Sequence, residues 1–239
     1  MAGPLALVGG DELNPGNEPQ DELLSSAAGD GRSFVLATAA ARHRPELAVA
    51  HAHEWFLRFG LDVQELPVRT ARQARSAEVV ALASEGRFFY LVGGDPVIVP
   101  EVLRDSPAWD AIVSAWRSGA ALAGSSAGAM AMGQWTLIRG RFPGDHTREY
   151  RNALGLVPGV AVLPHFGSFG RKWVDSALEG RPTDDVILLG LDERSAAVWS
   201  ADSIWRAMGD GGVTLITIRS ERRFAAGEAI EGLPAPDGA

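Results

Sequence analysis

A serine flanked by glycines is the first feature of this sequence that could carry out chemistry. Gly124, Ser126 and Gly128 match the pattern G-x-S-x-G, after an apolar run of small residues and before an Ala/Met-rich segment. Strand, sharp turn and helix form the context of a nucleophile elbow, in which glycines make room for the tight turn. The pattern predicts Ser126 as a nucleophile. The competing interpretation is a serine N-cap on a helix that packs closely on a sheet.

A serine hydroxyl is a poor nucleophile until a base accepts its proton and a third group orients that base. His165 is the best placed of the five histidines, because it ends an apolar strand on the side of the predicted sheet where the elbow lies. We prefer Asp145 as the orienting group, since it lies between Ser126 and His165 in a polar segment that could reach over the sheet edge. Four carboxylates remain candidates for this role: Asp145, Glu149, Asp192 and Glu193.

The elements that must position these residues alternate regularly between short apolar strands and helical segments. This alternation predicts an α/β fold, a three-layer α/β/α sandwich with a mainly parallel central sheet. Reactive groups collect beyond the carboxyl ends of such strands, where both Gly93-Gly94 and Ser126 are expected. The stretch 137–149 reads as polar and irregular, and short antiparallel strands are expected after residue 195. We expect one domain over 1–239, with a frayed tail at about 232–239.

Composition excludes several other classes of protein. The 239 residues include no cysteine, which removes disulfides, thiolate zinc sites and cysteine nucleophiles. The net charge of −8 argues against nucleic acid as a partner. Neither a signal peptide nor an apolar stretch of membrane-spanning length is found, so we expect a cytoplasmic protein without membrane contact. His51 and His53 are two residues apart, a spacing that suits metal binding on a helix poorly.

Several separated motifs, in this order, resemble one known family. They are Leu5–Gly10, Tyr90–Asp95, Gly124–Ala129, Ala153–Pro158, Leu163–Phe166 and Gly190–Glu193. The family comprises the serine peptidases that include dipeptidase E (aspartyl dipeptidase) and cyanophycinase, built on the class I glutamine amidotransferase-like fold. A glutamine amidotransferase itself is disfavoured, because the cysteine nucleophile is missing.

The resemblance implies a role for each of five residues. Ser126 would be the nucleophile, His165 the base, and an acidic residue between them, matched in position by Asp145, the third member. The backbone N–H groups of Gly94 and Ala127 would form the oxyanion hole, where each donor is worth roughly 3–4 kcal/mol in the transition state. No metal or organic cofactor is required by this chemistry.

Departures from the family pattern bear on the substrate. Cyanophycinase-like proteins carry Gln after the Gly-Gly-Asp turn, Asp-Gln before the histidine and several arginines after it; here these positions hold Pro96, Leu163-Pro164 and the pair Arg171-Lys172. The segment Pro164–Phe166 looks more like dipeptidase E, whose substrates begin with aspartate. Arg171 or Lys172 would then bind the aspartate carboxylate, although a solvated basic pair is an equal alternative.

The sequence thus predicts a serine peptidase that hydrolyses short peptides, with N-terminal aspartyl dipeptides as the specific hypothesis. Three alternatives stay open: an esterase or amidase with the same triad, a cyanophycinase-like isopeptidase, and a catalytically idle peptide-binding module. Exposed members among the seven tryptophans would also support a homodimer.

Overall fold

The computed structural model describes residues 1–140 and 147–239. The strands are β1 (Leu5–Val8), β2 (Arg32–Leu36), β3 (Val63–Glu65), β4 (Gly86–Leu91), β5 (Ala121–Ser125), β6 (Gly133–Arg139), β7 (Arg148–Asn152), β8 (Val157–Leu163), β9 (Ile187–Leu191), β10 (Ser195–Trp199), β11 (Trp205–Gly209), β12 (Gly212–Ile216) and β13 (Glu221–Ala225). The α-helices are α1 (Glu18–Ala28), α2 (Pro45–Leu57), α3 (Ala77–Ser84), α4 (Ile98–Leu103), α5 (Pro107–Arg117), α6 (Ala127–Met132) and α7 (Val174–Glu179).

The first sheet has seven strands in the order β11-β10-β1-β5-β4-β2-β3. Five neighbouring strands run parallel: β1, β5, β4, β2 and β3. Strands β10 and β11 join them antiparallel at one edge. Val8 lies opposite Ser125 in the register of β1 with β5, so the loops after both strands leave the same edge of the sheet. The predicted α/β class and parallel core are confirmed.

A second sheet has six strands in the order β13-β12-β9-β8-β6-β7. The prediction of an irregular polar stretch over 137–149 is wrong for the described part, because β6 and β7 pair antiparallel with Arg139 opposite Arg148. The outer strand β7 is not buried, and its sequence Arg-Glu-Tyr-Arg-Asn lacks the apolar alternation that marks a half-buried strand. An edge strand with this composition reads as a loop.

The core lies on both faces of the seven-stranded sheet. Phe88 and Tyr90 pack with residues of α1 and α2, whereas Phe89 and Leu91 pack with α3, α4, α5, α6 and the second sheet. Successive residues of a strand point to opposite faces, so β4, which is buried on both, reads as a continuous apolar run. This sandwich holds the carboxyl ends of β1, β4 and β5 at one edge.

The C-terminal tail differs from its prediction. The Trp205 indole donates a hydrogen bond to the Pro234 carbonyl at 2.8 Å, and the Asp237 N–H donates to the Leu156 carbonyl at 2.8 Å. Leu233 is also buried. Proline and glycine composition suggested fraying, but these contacts hold the tail against β11 of the first sheet and against the residue that precedes β8 of the second.

The tryptophans offer little surface for a partner. All are buried except Trp173, which is partly exposed. The homodimer stays a prediction, without the exposed tryptophans on which it was based. Among the residues described, no helix combines the length and apolar character needed to cross a membrane.

Candidate active site

The elbow around Ser126 joins β5 to α6 with a strained backbone. Ser126 has φ 49° and ψ −112°, a conformation that costs on the order of 1–3 kcal/mol for a residue with a side chain. A Cβ on Gly128 would lie 2.3 Å from the Leu91 carbonyl oxygen, and one on Gly124 would lie 2.6 Å from the Gly128 carbonyl carbon. Both glycines are therefore required by close backbone contacts. The Ser126 N–H is held by the Val8 carbonyl at 2.9 Å.

His165 follows β8 and meets the elbow directly. Its Nε2 lies 3.1 Å from the Ser126 Oγ. The residue has φ 51°, and its N–H donates to the Gly9 carbonyl at 2.7 Å, which fixes the turn that aims the ring. Gly10 makes room for the imidazole, because a Cβ there would lie 2.3 Å from the His165 Cε1.

Glu193 occupies the other side of the imidazole. Its Oε1 lies 2.8 Å from the His165 Nδ1, and its Oε2 accepts a hydrogen bond from the Ser168 Oγ at 3.0 Å. The bond from His165, followed by that from Ser168, lowers the pKa of Glu193 below its ordinary value. A carboxylate facing Nδ1 selects the tautomer with the proton on Nδ1, which leaves Nε2 free to accept the Ser126 proton.

The other candidate carboxylates are placed differently. Asp192 accepts hydrogen bonds from the Gly212 N–H at 3.0 Å and from Arg223 at 2.5 Å, and Glu149 pairs with Arg151 at 3.0 Å. Asp145, the preferred candidate in the sequence, lies outside the described residues. Of the candidates that the structure describes, Glu193 is the one whose carboxylate contacts His165.

The two predicted oxyanion donors lie in the first turn of α6 and in the turn after β4. Ala127 is the first residue of α6, so its N–H has no acceptor within the helix. Gly94 has φ 149°, and a Cβ there would lie 2.4 Å from the Ala39 carbonyl oxygen. Its neighbour Gly93 lies beside the elbow, since a Cβ on Gly93 would be 3.3 Å from the Ser126 Cβ.

Arg171 and Lys172 have different surroundings. The guanidinium of Arg171 forms two bonds with Glu221, at 2.5 and 2.9 Å. Both residues line a cavity of about 860 Å³, and Lys172 also lines a second cavity of about 530 Å³. The lining residues of this second cavity are Arg139, Arg148, Phe169, Lys172 and Trp173.

That cavity adjoins the histidine through an aromatic ring. Phe169 stacks on His165 with a centroid distance of 4.9 Å and an interplanar angle of 19°. The Arg148 guanidinium lies 4.0 Å from the centre of the Trp173 ring, a cation–π contact. The described lining residues carry three positive charges and no carboxylate. Phe169, Arg139 and Arg148 were not singled out in the sequence. The two arginines escaped notice because the pairing of β6 with β7 was not predicted.

Comparison with known proteins places this chain in a family. The sequence model of peptidase family S51 matches residues 5–205 of this chain. The chain belongs to this family. The resemblance inferred from separated motifs is thereby confirmed. Two cyanophycinases are similar to this chain in sequence. That of Nostoc sp. is 30% identical over 195 residues, which is 79% of this chain. That of Synechococcus elongatus is 26% identical over 221 residues, which is 90% of this chain. The chain spans 65% and 68% of the lengths of these two relatives.

Solved structures share the fold of this chain. A peptidase from an acI-B1 Actinobacterium superposes with a TM-score of 0.83 at 30% identity, covering 96% of this chain and 97% of that one. A protein described as a peptidase E from Listeria monocytogenes reaches 0.59 at 16% identity, covering 91% of this chain and 100% of that one, which shows a common fold.

Proposed function

We propose that this S51 family member is a serine peptidase that hydrolyses short peptides. The observation that carries the proposal is the continuous hydrogen-bonded relay from the Ser126 Oγ through His165 to Glu193, with distances of 3.1 and 2.8 Å. Nucleophile, base and orienting carboxylate within hydrogen-bond reach of one another are the signature of covalent catalysis by serine.

In this proposal the Ser126 Oγ attacks the peptide carbonyl carbon while its proton passes to the His165 Nε2. The carbonyl oxygen becomes an oxyanion, for which the Gly94 and Ala127 N–H groups are the proposed donors. When the C–N bond breaks, His165 returns the proton to the leaving amine, and an ester to Ser126 remains. Water then attacks the ester, giving its proton to His165, and the Ser126 oxygen leaves and is reprotonated.

Glu193 is the proposed third member of the triad. Its carboxylate holds the tautomer and stabilises the imidazolium that forms when Nε2 takes the proton. The lowered pKa of Glu193 fits this role, because the group is then ionised at neutral pH.

The cavity beside His165 supports an acidic residue as the anchored part of the substrate. Its volume of about 530 Å³ lies within the range of roughly 300–1,000 Å³ found for small-ligand sites. Lys172 and Arg139 contribute positive charge to its described lining, which would attract the side-chain carboxylate of an N-terminal aspartate. Lys172 fits this role better than Arg171, whose guanidinium is already paired with Glu221.

The relatives support a second candidate substrate. Curated proteins similar in sequence to this chain carry the name cyanophycinase. An isopeptidase acting on cyanophycin or on β-aspartyl dipeptides would use the same relay. Both substrates therefore belong in the first test.

The test is hydrolysis of a panel by the wild type and by Ser126→Ala. The panel holds Asp-Leu, Ala-Leu, a β-aspartyl dipeptide, cyanophycin, a longer Asp-initiated peptide and a p-nitrophenyl ester. We expect cleavage of Asp-Leu that is lost in the variant. Ester turnover without peptide cleavage would favour the esterase, and binding of peptides without turnover of any substrate would favour the idle binding module.

A second test separates the two basic residues. Lys172→Met is expected to raise KM for Asp-Leu about tenfold, the effect of losing roughly 1.4 kcal/mol of charge-assisted binding, with little change for Ala-Leu. Arg171→Met is the matched control, because its charge is already neutralised by Glu221. Equal KM for Asp-Leu and Ala-Leu in the wild type would refute the acidic specificity.

A further inference from the structure

Glu12 lies in the loop after β1 and uses both carboxylate oxygens to join two distant loops. Its Oε1 accepts a hydrogen bond from the Gly93 N–H at 2.8 Å, and its Oε2 accepts one from the Ser125 Oγ at 3.0 Å. Gly93 belongs to the turn after β4, and Ser125 immediately precedes Ser126 in the elbow. One side chain therefore ties together the two segments that flank the nucleophile.

The backbone on both sides of Glu12 adopts an unfavourable conformation in order to place this side chain. The residues on either side, Asp11 and Leu13, have φ values of 52° and 60°. Such left-handed conformations are costly for residues with side chains and persist only where the surroundings enforce them. Leu13 is buried, and the buried Asn17 amide donates to the Asp11 carbonyl at 2.9 Å.

We infer that Glu12 is a positioning residue that fixes the distance between the Gly93-Gly94 turn and the nucleophile elbow, and so aligns the two proposed oxyanion donors. The inference rests on the proposed serine mechanism. The Gly94 N–H follows directly on Gly93, and the Ala127 N–H lies two residues beyond Ser125. Loss of the clamp would let the two donors move apart, and a misplacement of about 1 Å can cost 10²-fold in rate.

Glu12 would act by fixing the geometry of the two loops and not through its negative charge. A carboxylate close to a developing oxyanion repels it, so a direct electrostatic contribution to the transition state would have the wrong sign. A neutral side chain of the same shape should then be tolerated. Gln at position 12 keeps an oxygen to accept from the Gly93 N–H, and its amide can donate to the Ser125 Oγ, since a hydroxyl also accepts.

The test compares Glu12→Gln, Glu12→Ala and Leu24→Ala with the wild type and Ser126→Ala. Leu24→Ala is the control for a general loss of stability, because Leu24 is fully buried in α1, outside the loop that carries Glu12. Two rates are measured: hydrolysis of the best substrate in the panel, and phosphonylation of Ser126 by a fluorophosphonate. The second rate needs no knowledge of the natural substrate, and its transition state also places negative charge at the oxyanion donors.

We expect Glu12→Ala to lower kcat and the phosphonylation rate about 10²-fold with KM changed less than about threefold, as for loss of interactions made in the transition state. Glu12→Gln should restore both rates to within about fivefold of the wild type, and Leu24→Ala should keep them while lowering Tm.

Rates unchanged in Glu12→Ala, or equally low in Glu12→Ala and Leu24→Ala, would overturn the positioning role. A Glu12→Gln variant as slow as Glu12→Ala would also overturn it, by showing that the charge is needed. Failure of the proposed function gives a different result, in which the wild type itself is not phosphonylated at Ser126.

Discussion

Replacing Glu193 by Gln tests the proposed triad most directly. The substitution removes the charge that faces the His165 Nδ1 at 2.8 Å. The new amide can also donate to Nδ1, which would move the ring proton to Nε2 and block proton transfer from Ser126. Loss of a hydrogen bond to a charged group is worth roughly 1.5–3 kcal/mol, or about 10- to 150-fold in rate.

The change of tautomer lowers the rate further, whereas the partial exposure of the Glu193 side chain limits the total loss. Removing the charge of a buried triad carboxylate in this way lowers kcat about 10⁴-fold. The Glu193 side chain is 33% exposed, so water can replace part of its effect. We therefore expect kcat to fall by about 10²–10³-fold, with KM nearly unchanged.

The assay is steady-state hydrolysis of the best panel substrate, together with the phosphonylation rate of Ser126. Asp192→Asn is the matched control, because it removes a neighbouring carboxylate that bonds Gly212 and Arg223 instead of His165. Equal losses in both variants, compared at equal folded fraction, would contradict the role of Glu193. An unaffected Glu193→Gln enzyme would also refute it.

Three further predictions concern stability and the histidine ring. Burial raises the pKa of Asp21 to about 7, so the folded state keeps a proton that the unfolded chain loses above its ordinary pKa of 3.8. The free energy of unfolding, measured by urea titration, should fall by on the order of 4 kcal/mol from pH 4 to above pH 7, and Asp21→Asn should remove this fall; parallel profiles would contradict it. Gly128→Ala should abolish folding or lower Tm steeply in a thermal melt, because its Cβ would lie 2.3 Å from a backbone oxygen of β4; a Tm near that of the wild type would show that the elbow can relax. Phe169→Ala should lower kcat about 2- to 12-fold, the value of a ring contact of 0.5–1.5 kcal/mol, by releasing the stacked His165 ring; an unchanged kcat in the hydrolysis assay would assign Phe169 to the cavity alone.

The sequence predicted the positions of Ser126 and His165 at a sheet edge better than that of the carboxylate, for a physical reason. Ser126 and His165 each stand at the end of a strongly apolar strand, so local pattern alone places them at a sheet edge. The choice of carboxylate depends on which strands are neighbours. Leu163 lies opposite Gly190 in the parallel register of β8 with β9, and this pairing places Glu193 beside His165. Sequence pattern gives strand positions but not their order in a sheet.

The second sheet escaped prediction for a related reason. Its edge strand β7 is largely polar, and its pairing with β6 is antiparallel over Trp135 to Arg139. The two arginines at the end of this pair, Arg139 and Arg148, are distant from Lys172 in the sequence. The positive cavity therefore arises from strand pairing, and no local sequence motif predicts it.

The loop after β1 explains how two sheets form one site. Ser126 follows a strand of the first sheet, whereas His165 and Glu193 follow strands of the second. The Gly9 carbonyl accepts from the His165 N–H at 2.7 Å, and the Gly10 carbonyl accepts from the Arg194 N–H at 2.9 Å. This short segment thus holds both second-sheet members of the relay at the edge where Ser126 emerges. Because the relay needs this docking, a change that loosens the contact between the sheets should separate base from nucleophile before either sheet unfolds.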